Sequence, residues 1–145
     1  MVNFIDSFNK GISAAEKAIA NKDEIDSVIE QLSDQLQQAT AGRLKISIIE
    51  KQMPFLSGIA TNLSEMLNRK TYWAIAASNP LASFQPKELA QWKFSESGYP
   101  CRIVLLDTEI YCEDKTALEN ALGKMIATPE VGKKLKAVIE QEARE

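Results

Sequence analysis

The chain reads as a single α+β domain spanning residues 1–145, and three observations predict that class. Between Gln91 and Cys112, apolar residues recur at every second position, the period of a strand. Before Gly42 and after Asp114 they recur at three and four, the period of a helix with one buried face. No low-complexity linker or internal repeat divides the two patterns, so strands and helices are expected to share one core.

The first element to justify is the N-terminal segment. Phe4, Ile5, Phe8, Ile12, Ala15 and Ile19 form one apolar stripe over residues 3–20. Asn21 followed by Glu24 resembles a capping box, which predicts a new helix start there. The second stripe is Ile25, Val28, Ile29, Leu32, Leu36 and Ala39, and Gly42 stands where a helix C-terminus favours positive φ. Residues 1–41 are therefore predicted to fold as an antiparallel αα-hairpin with facing stripes. Asp23, Asp26, Glu30 and Asp34 make a polar outer face, read as solvated surface.

Residues 43–112 carry the sheet. Leu44, Ile46 and Ile48 alternate with polar neighbours and predict a half-buried first strand over 43–50. Residues 55–69 place Leu56, Ile59, Leu63, Met66 and Leu67 at helical spacing. Residues 71–78, TYWAIAAS, read as a second strand. A loop with two prolines follows over 79–86, with Pro86 opening a brief helical turn through Leu89.

The meander has Trp92, Phe94, Tyr99, Cys101, Ile103, Leu105, Ile110 and Cys112 in phase, with turns at 95–98 and 106–109. Those turns set Trp92 opposite Cys101 and Ile103 opposite Cys112. The two cysteines are then diagonal neighbours about 7 Å apart at Cα, too far for an easy disulfide, and are expected to be reduced core residues. Reduced cysteines and an N-terminus without a basic, apolar leader pattern point to a cytoplasmic protein. The sheet's other face mixes Lys93, Arg102 and Glu109 with Val104, Leu106 and Tyr111, so it is expected to be covered, by the chain's own helices or by a partner.

Two C-terminal helices over 114–143 complete the fold. Asp114 or Thr116 caps the first, whose stripe is Leu118, Ala121, Leu122, Met125 and Ile126. Thr128-Pro129-Glu130 starts the second, which carries Val131, Leu135, Val138 and Ile139. Residues 140–145 are polar and expected to fray.

Composition narrows the chemistry. The chain has no histidine, which removes the usual general base, the partner of most serine and cysteine nucleophiles, and the commonest zinc ligand. Its six glycines form no phosphate-binding loop, and no metal site or cofactor is expected. Seventeen basic against twenty acidic residues give a net charge of −3, so neither nucleic acid nor membrane is expected as a partner. Lys133, Lys134 and Lys136 neighbour Glu130 and Glu140 on one helix, which predicts ordinary surface pairing.

The expectation that remains is a non-catalytic, cytoplasmic protein-binding domain, of the kind that serves as an inhibitor, an immunity protein or a chaperone. Its partner is another protein or a second copy in a homodimer. The predicted contact surface is the outer sheet face at Arg102, Val104, Leu106 and Tyr111, joined by Trp73 as a tryptophan suited to anchor an interface. Two alternatives stand beside it. One is a carboxylate-dependent enzyme with converging Asp or Glu side chains in a pocket between sheet and helices. The other is a structural protein that self-associates through residues 1–41.

Overall fold

A computed structural model describes residues 1–52 and 70–143. The order is one long helix, five strands and two short helices: α1 (Phe4–Ala39), β1 (Lys45–Gln52), β2 (Thr71–Ser78), β3 (Lys87–Ser95), β4 (Gly98–Leu105), β5 (Thr108–Cys112), α2 (Lys115–Ile126) and α3 (Pro129–Ile139). The class is therefore α+β, as the periodicity predicts. The helix expected over residues 55–69 lies outside the described residues.

The N-terminal hairpin is corrected to a single helix of 36 residues. At 1.5 Å per residue it is about 54 Å long. No glycine or proline interrupts the stretch from Ala20 to Asp26, so nothing local forces a break. The Asn21 side chain that reads as a cap points elsewhere: its Nδ2 donates to the Ser97 carbonyl at 2.9 Å. The true cap is Asn3, whose side chain accepts from the amides of Ile5 and Asp6. At the other end Gly42 has φ +82°, and its amide closes onto the Gln37 carbonyl at 2.8 Å.

The sheet runs β1-β2-β3-β4-β5, each strand antiparallel to the next. Its inner face carries Ile46, Ile75, Trp92, Cys101, Ile103 and Cys112. These join Ile25, Val28 and Ile29 of α1, Leu118, Leu122 and Met125 of α2, and Val131 and Val138 of α3 in one core cluster. All three helices thus contribute to the core on one side of the sheet. Among the described residues none of these helices lies on the outer face, where Ala74 and Ala76 of β2 are nevertheless fully buried.

Two details of the sheet depart from the simple alternation. Residues 87–89 belong to β3 and are not a helical turn; a bulge against Ile75 and Ala76 leaves both Leu89 and Ala90 buried. The meander register also differs, because Trp92 faces Ile103 and Cys101 faces Cys112. Between Lys93 and Ser95 the register shifts, with β4 carrying extra residues that include Pro100, which has no amide hydrogen to give a ladder. The last turn closes one residue earlier than expected, pairing Leu105 with Thr108. Each change moves the register by an even number of residues, so every inner side chain stays on the inner face.

The C-terminal caps follow the sequence. Asp114 accepts from the Ala117 amide at 2.8 Å to open α2, and Thr128 with Pro129 opens α3. Lys136 pairs with Glu140 one turn on, at 3.9 Å.

Candidate functional site

The four residues expected on the outer sheet face, and Trp73 named beside them as an anchor, lie in three places. Arg102, Val104 and Tyr111 share the outer sheet face, since Arg102 faces Tyr111 across the strands and Val104 faces Glu109. Leu106 sits in the β4–β5 turn at φ +55°, with its side chain 71% exposed. Trp73 is on the opposite, inner face, because it pairs with the core residue Trp92.

The outer-face group is internally occupied. Arg102 Nη1 bonds Glu109 Oε1 at 2.7 Å, and its guanidinium carbon lies 5.5 Å from the Tyr111 ring centroid. Further along this face Tyr72 donates to Glu88 Oε1 at 2.5 Å, and Lys51 approaches the same oxygen at 3.8 Å. The bond to Glu88 is the main cause that pushes the Tyr72 phenol up to about 12. These groups satisfy one another, while Tyr111 on this face and Leu106 in the adjoining turn are exposed.

A larger apolar surface lies where the first helical stripe was expected to find a hairpin partner. Phe4, Ile5, Phe8, Ile12 and Ile19 are all exposed, Phe4 by 78% and Phe8 by 65%. The cause is angular. At about 100° per residue, Phe8, Ile12 and Ile19 point roughly 110° around the helix from the direction in which Ile25, Ile29 and Leu32 meet the core. Among the described hydrogen bonds between α1 and the sheet, those at the β3–β4 turn lie nearest the helix N-terminus. There Gly98, at φ +89°, brings its backbone so close to α1 that a Cβ would stand 2.8 Å from Asn21 Cβ. Beside it Tyr99 donates to Glu24 Oε1 at 2.8 Å. Burial and that bond hold the Tyr99 phenol above its ordinary value.

At the anchor the side of α1 that bears the stripe overlooks an aromatic groove of about 300 Å³. Trp73, Trp92, Phe94, Ile25 and Ile48 form its walls, with Lys22 and Asp26 of α1 also lining it. Trp73 and Phe94 meet edge to face with centroids 6.0 Å apart. Trp92 is buried while Trp73 remains 38% exposed, so one tryptophan serves the core and the other a surface. Phe94, in phase with the core residues of the meander, is 47% exposed near the end of its strand.

On another side of α1 a cleft of about 760 Å³ separates Ala14, Lys17 and Ala18 from Tyr99, Pro100, Tyr111, Glu113 and Asp114. It holds carboxylates, as the enzyme alternative requires. Asp114 is engaged as the α2 cap and Glu24 by Tyr99. Among the described residues, no group of three or more His, Cys, Asp or Glu is placed to hold a metal ion.

The cysteines face each other directly and are not the diagonal neighbours expected, because of the register change. Both are free and fully buried. The contact with Cys112, then burial, raises the Cys101 thiol well above its ordinary value, so it stays protonated at neutral pH. Among the described residues no helix is long and apolar enough to cross a membrane. No protein-family model matches the chain, and neither a curated protein nor a solved structure does.

Proposed function

We propose that the protein acts by binding protein, without catalysis, and that the overhanging half of α1 is its principal contact surface. The observation that carries this reading is the stripe itself: five large apolar side chains, exposed together on one helix. Exposed apolar residues scattered singly need no explanation, but a contiguous line of this kind marks a surface that another chain covers. Its form, an amphipathic helix with anchors at three- and four-residue spacing, matches the helix-in-groove mode of recognition. Engagement of Glu24 and Asp114 in structural hydrogen bonds supports the non-catalytic half of the proposal. An inhibitor or chaperone that masks a partner would need no more than such a surface.

The test is affinity capture from a native lysate with the tagged protein. Phe8→Asp and Ile12→Asp are run beside Leu106→Asp and Tyr111→Asp, all checked for native circular dichroism. Capture of a stoichiometric protein that the two α1 variants lose, and the two sheet variants keep, is the expected result. Capture that survives both α1 changes but not the sheet changes returns the contact surface to the outer face.

A further inference from the structure

The exposed stripe and the aromatic groove lie on the same side of α1. Phe8, Ile12, Ala15 and Ile19 follow an alternating three- and four-residue spacing, and the next two positions along that line are Lys22 and Asp26. Those two residues are the ones that line the groove beside Trp73 and Phe94. An apolar track therefore starts at Phe4 and ends in an aromatic notch, with both ends built from the same chain.

We infer that the occupant of this track is a second copy of the chain, its α1 lying antiparallel on the first about a two-fold axis between Ser13 and Ala14. In that setting Phe8 packs against Ile19 of the second copy and Ile12 against Ala15, a large residue meeting a small one at the centre. Ile5 falls opposite Lys22, and Phe4, on the flank of its helix nearer the other copy's sheet, reaches the groove between Trp73 and Phe94. The contact is self-complementary: each copy offers an N-terminal aromatic and a notch to receive one, so the assembly closes at two.

Charge and area agree with this arrangement. Lys10 and Lys17 point away from the stripe, and Glu16 falls beside Asn9 of the second copy, so no like charges are opposed along the seam. Phe4, Ile5, Phe8, Ile12 and Ile19 are exposed in each copy. At on the order of 100 Å² from each, two copies remove roughly 1,000 Å² from water, the lower bound for a specific interface. The groove walls add to that. The inference rests on reading the stripe as a protein-binding surface and names the protein.

Sedimentation equilibrium of the full chain from low to high micromolar concentration tests it. The expected mass rises to twice that of the monomer, and Ile12→Asp weakens the association by at least about 100-fold while its circular dichroism is unchanged. Phe4→Ala weakens it about tenfold and abolishes the concentration-dependent blue shift of tryptophan emission that burying Trp73 produces. Lys10→Glu, on the far side of the helix, leaves the mass curve unmoved. A nitroxide on Asp23→Cys reports pairs about 30 Å apart in the antiparallel arrangement and far closer in a parallel one.

A monomer throughout this range overturns the inference, as does a dimer indifferent to Ile12→Asp or one with a parallel label distance. If the monomer still captures a different protein through Phe8 and Ile12, the protein-binding reading stands without the second copy. If it instead sediments with phosphatidylcholine vesicles through the same residues, both readings yield to a lipid surface.

Discussion

The two halves of α1 carry equally clear apolar stripes and meet opposite fates. Ile25, Val28 and Ile29 are buried against the sheet, whereas Phe8, Ile12 and Ile19, on the same unbroken helix, face solvent. Hydrophobic spacing alone does not separate them. The rotation between the stripes does, together with the point where the β3–β4 turn takes hold of Asn21 and Glu24. An amphipathic pattern states which face seeks cover and leaves open which chain supplies it.

The contrast is sharpened most by paired truncations. In dilute solution Ile29→Ala should cost about 2–5 kcal/mol in urea unfolding, because it leaves a cavity in the core. Ile12→Ala should stay within about 0.5 kcal/mol, as an exposed position does. Equal costs would show that residues 4–20 are docked on their own body.

A smaller effect is expected at the border between the halves. Gly98→Ala forces a side chain into a left-handed backbone against Asn21 and should cost about 2 kcal/mol. A substitution without effect on the urea midpoint would mean that the turn does not anchor α1.

The smallest effect concerns alkaline pH. Tyr99 has its folded-state pKa raised by burial and Glu24, so its contribution to stability is complete below the unfolded value of about 10 and is lost as pH rises through the folded value. Unfolding midpoints of the wild type should therefore decline above pH about 10 more steeply than those of Tyr99→Phe. Parallel decline of the two proteins would remove Tyr99 from the anchor.

Most of the architecture was legible because period and turn chemistry are local. The five strands, both C-terminal helices and the caps at Asp114 and Thr128 follow from spacing and a few residues each. What was not legible depends on distant contacts. Asn21 and Glu24 form a plausible capping box until Ser97 and Tyr99, some 76 and 75 residues away in sequence, claim their side chains. The β3–β4 register turned on a shift beside Pro100, and the pairing of Cys101 with Cys112 on a β4–β5 turn that closes between Leu105 and Thr108.

The residues of the expected contact surface are less local in origin. Arg102, Val104 and Tyr111 do share a face, but Trp73 lies across the sheet and Leu106 in a turn. The stripe on residues 4–20 was visible from the start as an amphipathic helix. Its exposure was hidden by the assumption that a neighbouring helix would pack against it. On one continuous helical wheel the two stripes diverge by roughly 110°.

Ser33 is a polar side chain buried within α1, and its Oγ accepts the Ile46 amide at 2.9 Å. Ile46 belongs to β1, the edge strand at one end of the sheet. Its bond to the helix means that a hydrogen-bonding position on the free side of β1 is filled from within the chain. Lys45, Glu50 and Lys51 add charge along the same strand, and at the opposite edge β5 is only five residues long. A foreign strand seeking to extend the sheet finds at one border an amide already taken and at the other little length to pair with. Both borders thus disfavour ribbon-like polymerisation through the sheet.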